Sequence, residues 1–240
     1  VLGQVCLTQA KNIDWEDMAS FTWKNRHFLL IGDVGDNRSN RKKCTLYIVE
    51  EPSVSDIKKQ NPGIANSWQI DFIYEDGPRD CEAVAVDVST GHCLLLSKRD
   101  DLPGLYRLPL LPLQHKSPAV AVKTAIVSLI PPPGMEDLIQ PYGGNRSQPT
   151  AMDMTSDGQT LVILTYKNAY LYSKNSHQTW ASRLEEAPEI IYLQPVGFNS
   201  LIQREGLCFS SDGMSFYLTS EKVPTPLFRL DRILTISSPN

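Results

Sequence analysis

The chain is 240 residues long, 41% hydrophobic and 21% charged, with a formal net charge of −4. That length supports one substantial core, or one ring of several small cores. The acidic balance leaves no basic footprint for nucleic acid, and no run approaches the roughly 20 apolar residues that span a bilayer.

In chain order, residues 1–7 read as an outer strand. The phrase Asp14-Trp15-Glu16-Asp17-Met18-Ala19 opens an apolar strand, and a second apolar run ends on Leu30-Ile31-Gly32-Asp33. The basic run Arg38-Ser39-Asn40-Arg41-Lys42-Lys43 reads as a solvated hairpin tip. Asp56-Ile57-Lys58-Lys59-Gln60 fits a turn or two of helix that Pro62-Gly63 ends; helical periodicity is otherwise poor. Residues 67–74 supply an outer strand. The phrase Asp80-Cys81-Glu82-Ala83-Val84-Ala85-Val86-Asp87 then repeats the opening pattern. It passes through Ser89-Thr90-Gly91 into His92-Cys93-Leu94-Leu95-Leu96-Ser97-Lys98, then Leu105-Tyr106-Arg107-Leu108. Residues 119–130 supply another outer strand.

Thr150-Ala151-Met152-Asp153-Met154-Thr155-Ser156-Asp157-Gly158 aligns with Glu205-Gly206-Leu207-Cys208-Phe209-Ser210-Ser211-Asp212-Gly213, with Thr150 in the glutamate's place. A Ser/Asp/Gly turn between β-rich runs signals a hairpin, because glycine supplies positive φ without a steric cost. The 17 prolines and 14 glycines fall between the apolar runs, as many short strands require. Four such units predict an all-β fold: one β-propeller over residues 1–240, built of four-stranded antiparallel blades. Five or more blades require a cryptic unit or an N-terminal unit outside this sequence. Residues 1–7 and 233–236 are the candidates to close the ring.

Radial repetition gathers equivalent positions round one axis. One ring reads Glu16, Glu82, Thr150 and Glu205; a second reads Asp33, Lys98, Tyr166 and Glu221. The start of one hairpin strand lies beside the end of the next, so both rings face the same end of the channel. Carboxylates gathered there raise one another's pKa unless a cation intervenes. Converging hard oxygens suit Ca²⁺, which takes about 6–8 of them. Lys98 is the alternative neutralising charge, paired with Glu82 or Glu16. The plainer alternative has each glutamate satisfying backbone amides of a neighbouring blade. The segment Gly32-Asp33-Val34-Gly35-Asp36-Asn37 is the densest polar cluster, but it lacks the spacing of an EF-hand loop. It reads equally as turn chemistry, with Asp33 the better ligand and Asp36 and Asn37 capping the turn.

Other chemistry is not signalled. The five cysteines make no disulfide framework and have no zinc-site spacing; Cys81, Cys93 and Cys208 read as small buried hydrophobes. His27, His92, His115 and His177 share no motif, and no nucleophile elbow or phosphate loop is present.

Asp14-Trp15-Glu16-Asp17-Met18-Ala19, Gly32-Asp33-Val34-Gly35-Asp36-Asn37, Leu46-Tyr47-Ile48-Val49-Glu50-Glu51-Pro52 and Asp76-Gly77-Pro78-Arg79-Asp80-Cys81-Glu82-Ala83 follow in that order. The chain thereby resembles a family of mostly bacterial, often exported β-propeller proteins. That family is similar in layout to calcium-binding propellers of the gluconolactonase and phytase-like esterase kinds. The resemblance implies a secreted or periplasmic protein with Ca²⁺ at the channel mouth, held by Glu16, Asp33, Glu82 and Glu205. Thr150 departs from the acidic pattern, with Asp153 reaching in instead. Two readings stay open. One is a Ca²⁺-dependent hydrolase of small esters, lactones or phosphoesters, with Glu16, Glu82 and Lys98 as the catalytic groups. The other is a non-catalytic propeller that binds a protein or glycan on its top face.

Overall fold

The computed structural model describes residues 3–59, 63–111, 118–140, 142–193, 203–221 and 226–232. After a short strand β1 (Cys6–Leu7) come β2 (Trp15–Trp23), β3 (Arg26–Asp33) and β4 (Cys44–Glu50), each antiparallel to the last. Strand β5 (Gly63–Ile64) pairs in parallel with β1, and β6 (Trp68–Tyr74) completes the first blade in the order β2-β3-β4-β6. Of the first seven residues, Cys6 and Leu7 pair with β5 in a separate two-stranded sheet and not with the fourth blade; residues 233–236 lie outside the described segments.

The second blade is β7 (Asp80–Asp87), β8 (His92–Lys98), β9 (Gly104–Pro109) and β10 (Ala119–Ile126). The third is β11 (Pro149–Met154), β12 (Thr160–Thr165), β13 (Asn168–Ser173) and β14 (Glu189–Tyr192). The fourth holds β15 (Arg204–Phe209), β16 (Ser215–Ser220) and β17 (Phe228–Asp231) among the described residues. Outer strands β6 and β10 also pair in parallel, from Ala119–Phe72 to Ala121–Tyr74, zipping the first two blades into one curled sheet. The repeated phrases thus fall on β2, β7, β11 and β15, which are the innermost strands. The chain is an all-β propeller.

Each blade buries one face against the next, because alternate residues of a strand point to opposite faces. Phe28, Leu30, Leu46 and Phe72 of the first blade meet Val84, Val86, Leu95 and Tyr106 of the second. Ala83, Ala85 and Leu96 meet Met152, Leu161 and Ile163 of the third. Ala151, Val162 and Leu164 meet Leu207, Phe216 and Leu218 of the fourth. Strand β7 is buried at all eight residues, since both its faces are covered by neighbouring blades. Among the described residues, no such core joins the fourth blade to the first.

Helix is limited to short caps. Helix α1 (Val54–Ile57) starts on a Ser53–Asp56 capping box, a little earlier than the sequence suggests. Helices α2 (Met135–Leu138) and α3 (Trp180–Leu184) lie on connections that carry no helical periodicity. Cys81 and Cys93 are buried as expected, whereas Cys208 on β15 is exposed.

Candidate functional site

All four innermost strands break register at the same place. Pairing skips from Trp15 to Asp17, from Cys81 to Ala83, from Pro149 to Ala151 and from Arg204 to Gly206. The skipped residues are Glu16, Glu82, Thr150 and Glu205. Each member of the first ring is therefore the extra residue of a β-bulge, a device that re-aims a side chain at the rim of a sheet. Matching bulges explain how residues so far apart in sequence share one mouth.

Lys98 ends β8 beside this mouth, and Lys98 and Glu82 are 3% and 5% exposed. They form a buried ion pair. Lys98 Nζ also donates to the Tyr166 hydroxyl at 3.3 Å and lies 4.9 Å from the centre of its ring. Tyr166 in turn donates to Glu205 Oε1 at 2.8 Å, and Gln203 Nε2 reaches the same oxygen at 3.4 Å. A chain of polar contacts thus runs from the second blade through the third to the fourth. Glu16 stands outside it: among the described residues, no side chain or amide hydrogen-bonds its carboxyl. Burial, then the nearby Glu82, Asp14 and Asp80 charges, push its pKa up to about 8, against the opposing pull of Lys98. Burial also raises Glu82 in spite of Lys98, and raises Glu205, where the adjoining Glu221 carboxyl adds to the effect.

The remaining expected site residues are engaged elsewhere. Asp33 is buried: Arg41 Nη1 lies 2.9 Å from Oδ1, and the amides of Asp14 and Ile13 donate to its two oxygens at 3.0 and 3.4 Å. Asp36 accepts the Arg41 amide and gives its own amide to Asp80, which is turn chemistry. Asn37 meets the Arg99 guanidinium. Thr150 donates to the Arg204 carbonyl at 2.6 Å and latches the third blade to the fourth. Asp153 accepts the Phe209 amide at 2.7 Å and does the same deeper in the channel. In the second ring, Asp33 and Lys98 pair with Trp15 and Asp80, but the equivalent partners in later blades are Thr165 and Ser220. Tyr166 and Glu221 sit one residue further on; both still reach Glu205.

Three further participants lie beyond the expected site residues, and of these only Arg99 lies outside the repeated phrases. Arg99 takes a left-handed backbone, φ 63°, and brings Nε within 2.8 Å of Asp80 Oδ2 and Nη2 within 3.6 Å of Glu82 Oε1. Asp17 is buried next to Glu16 and accepts amides from two other blades. Alignment of the four copies signals it, since the equivalent positions are Ala83, Ala151 and Gly206. Trp15 joins Glu16, Met18, Ile31, Glu205, Tyr217 and Leu227 in the wall of a 420 Å³ cavity, which opens between the first and fourth blades where no core joins them.

A calcium ion needs several oxygens converging on one point. Among the described residues, no three carboxylate, imidazole or thiol groups lie close enough to hold a metal ion. Lys98 lies against Glu82 at this mouth.

No protein-family model matches the chain, and no curated protein matches it. Solved structures similar to it include the hydrazine synthase of Kuenenia stuttgartiensis, at 12% identity over 96% of this chain and 49% of that one, TM-score 0.45. A 6-phosphogluconolactonase-like protein of Bacteroides uniformis shows 12% identity over 94% and 56%, TM-score 0.46. The WD40 propeller domain of Doa1 shows 10% identity over 94% and 55%, TM-score 0.42. The chain spans about half the length of these structures. The propeller assignment stands on the strand order and the converging inner strands. Among the described residues, no helix is long and apolar enough to cross a membrane.

Proposed function

We propose that the chain is a ligand-binding propeller whose acidic mouth takes a small molecule, with Glu16 as the group that meets it. The observation that carries this reading is the Glu16 carboxyl. It is half-buried in the wall of the seam cavity and free of any hydrogen bond among the described residues. Its oxygens, unclaimed by the described residues, remain open to the cavity, so they are available to a ligand. Lys98, Glu82 and Tyr166 satisfy one another and form a rigid rim, whereas Glu205 gives one oxygen to Tyr166 and still faces the cavity. In this reading Lys98, not a metal ion, neutralises the ring. Export to the periplasm or beyond belongs to the same proposal and rests on the family resemblance.

A calcium-dependent hydrolase of esters, lactones or phosphoesters is the competing reading of the same carboxylates. Calcium titration followed by thermal unfolding separates the two, because a ligand held only by the native state raises Tm by mass action. The binding reading expects no shift at millimolar calcium, and no hydrolysis of chromogenic esters, lactones or phosphoesters that Glu16→Gln abolishes. A calcium shift lost in Glu82→Gln overturns it.

A further inference from the structure

The seam cavity has a composition that selects among ligands. Its 420 Å³ lies in the range of small-molecule pockets. Two aromatic rings, Trp15 and Tyr217, face it together with the apolar Met18, Ile31 and Leu227. Among the described residues that line it, the carboxyls are Glu16 and Asp17 from the first blade and Glu205 from the fourth, and Asp17 is already taken by backbone amides. No lysine, arginine or histidine is among the described residues that line it. An anion would therefore meet repulsion without a compensating charge. A sugar or other polyol could donate to the carboxyls but would find few side-chain donors for its own oxygens, Thr219 and the Tyr217 hydroxyl among the described residues. A cation with an apolar body meets both parts of the lining. Its charge is attracted by carboxylates and by aromatic faces, and its carbon surface is covered by the rest.

We propose that the seam cavity binds an organic monocation with a compact apolar body, an alkylammonium in chemical class. Its charged head lies between Glu16 and Glu205, and its body lies against Trp15, Met18 and Tyr217. This rests on the reading of the mouth as a ligand site and names the class that site takes. The surroundings of the two carboxyls favour it further. Glu16 faces Glu82, Asp14 and Asp80 with Lys98 the opposing charge, and Glu205 faces Glu82 and Glu221. A positive head relieves that repulsion from the open side of the seam, whereas Lys98 is already committed to Glu82 on the other.

The test is a titration of the intact chain with choline and with butylammonium, each beside its uncharged counterpart, dimethylbutanol and butanol. The Trp15 indole and Met18 methyl resonances are followed by NMR. Both cations perturb these two signals, and the alcohols bind at least about tenfold more weakly. Glu205→Gln and Tyr217→Leu each weaken the cations while leaving the spectrum of the β13 and β8 cores unchanged, which shows that the variants fold. Equal binding of cations and alcohols at Trp15 overturns the cation assignment and leaves the ligand site standing. Silence of Trp15 and Met18 toward both cations also overturns it. If a lactone or sugar panel is silent as well, the reading of the mouth as a ligand site falls with it. Calcium displacing choline from Trp15 would assign the cavity to an inorganic ion instead.

Discussion

Asp17 of the first blade reaches across the channel and accepts the backbone N–H of Met152 in the third blade, at 3.1 Å. The same oxygen accepts the Val84 N–H of the second blade at 2.8 Å, so one carboxyl ties three blades together. Burial raises its pKa well above the usual range even against the amides that donate to it. Replacement by alanine leaves two buried amides of β7 and β11 without partners. Asp17→Ala should cost about 3–5 kcal/mol and Asp17→Asn clearly less, because the asparagine carbonyl still accepts. Urea unfolding of both variants measures this; an alanine cost below about 1 kcal/mol would show that the tie is idle.

Lys98 and Glu82 are a buried pair whose value lies in mutual neutralisation. Removing one partner strands the other, so Lys98→Met should destabilise by about 3–5 kcal/mol. Adding Glu82→Gln removes the stranded charge, and the double variant should recover most of that loss. A double variant as unstable as the sum of the singles would mean that the two side chains act independently.

Two carboxyls make stability depend on pH in the same sense. Burial raises Asp153 from 3.8 to about 6 and, with its acidic neighbours, raises Glu16 from 4.5 to about 8. Both hold their protons longer in the folded chain than in the unfolded one. Their contribution is therefore fully present below the unfolded values and is lost as pH rises through 6 for Asp153 and 8 for Glu16. Wild type minus Asp153→Asn should show the decline between about pH 4 and 6, and wild type minus Glu16→Gln between about pH 4.5 and 8. Because Glu16 is only half-buried, solvent screening holds the Glu16→Gln gain at pH 8.5 to about 1–2 kcal/mol. A difference curve that climbs with pH contradicts this sign.

Gly35 leaves room for the Glu16 carboxyl. A Cβ at this position would stand 2.5 Å from Glu16 Oε1 and 2.6 Å from Asp14 Oδ2. Both are ends of flexible side chains, so Gly35→Ala should move stability by no more than about 1 kcal/mol. It should abolish the ligand response by turning Glu16 aside. Thermal unfolding with and without choline reports the two effects separately, and an undiminished choline shift would clear Gly35 of this role.

The first ring is legible in the sequence because the repeated phrase and the bulge coincide: Glu16, Glu82 and Glu205 each stand at the head of an apolar strand that leads into a turn. The second ring is legible only by half. Counting from the turn aspartates Asp157 and Asp212 lands on Tyr166 and Glu221, one residue beyond the paired strand ends Thr165 and Ser220. Spacing along a hairpin does not reveal where pairing stops. Lys98 is recognisable as a neutralising charge, yet only the packing decides that its partner is Glu82. Asp33 looks like a ligand in a polar cluster; Arg41, from a run that reads as a solvated tip, turns inward and pairs with it. The seam cavity has no signature at all, since its walls come from opposite ends of the chain.

The bulges described at Glu16, Glu82, Thr150 and Glu205 separate the chemistry of the opening from the scaffold that supports it. A residue outside the ladder can be exchanged without shifting its strand by one place, and a threonine already stands among three glutamates. The collar of this propeller is thus independent of strand register: a change of residue there leaves the ladder in step, even where, as at Glu82 or Thr150, it breaks a contact between blades.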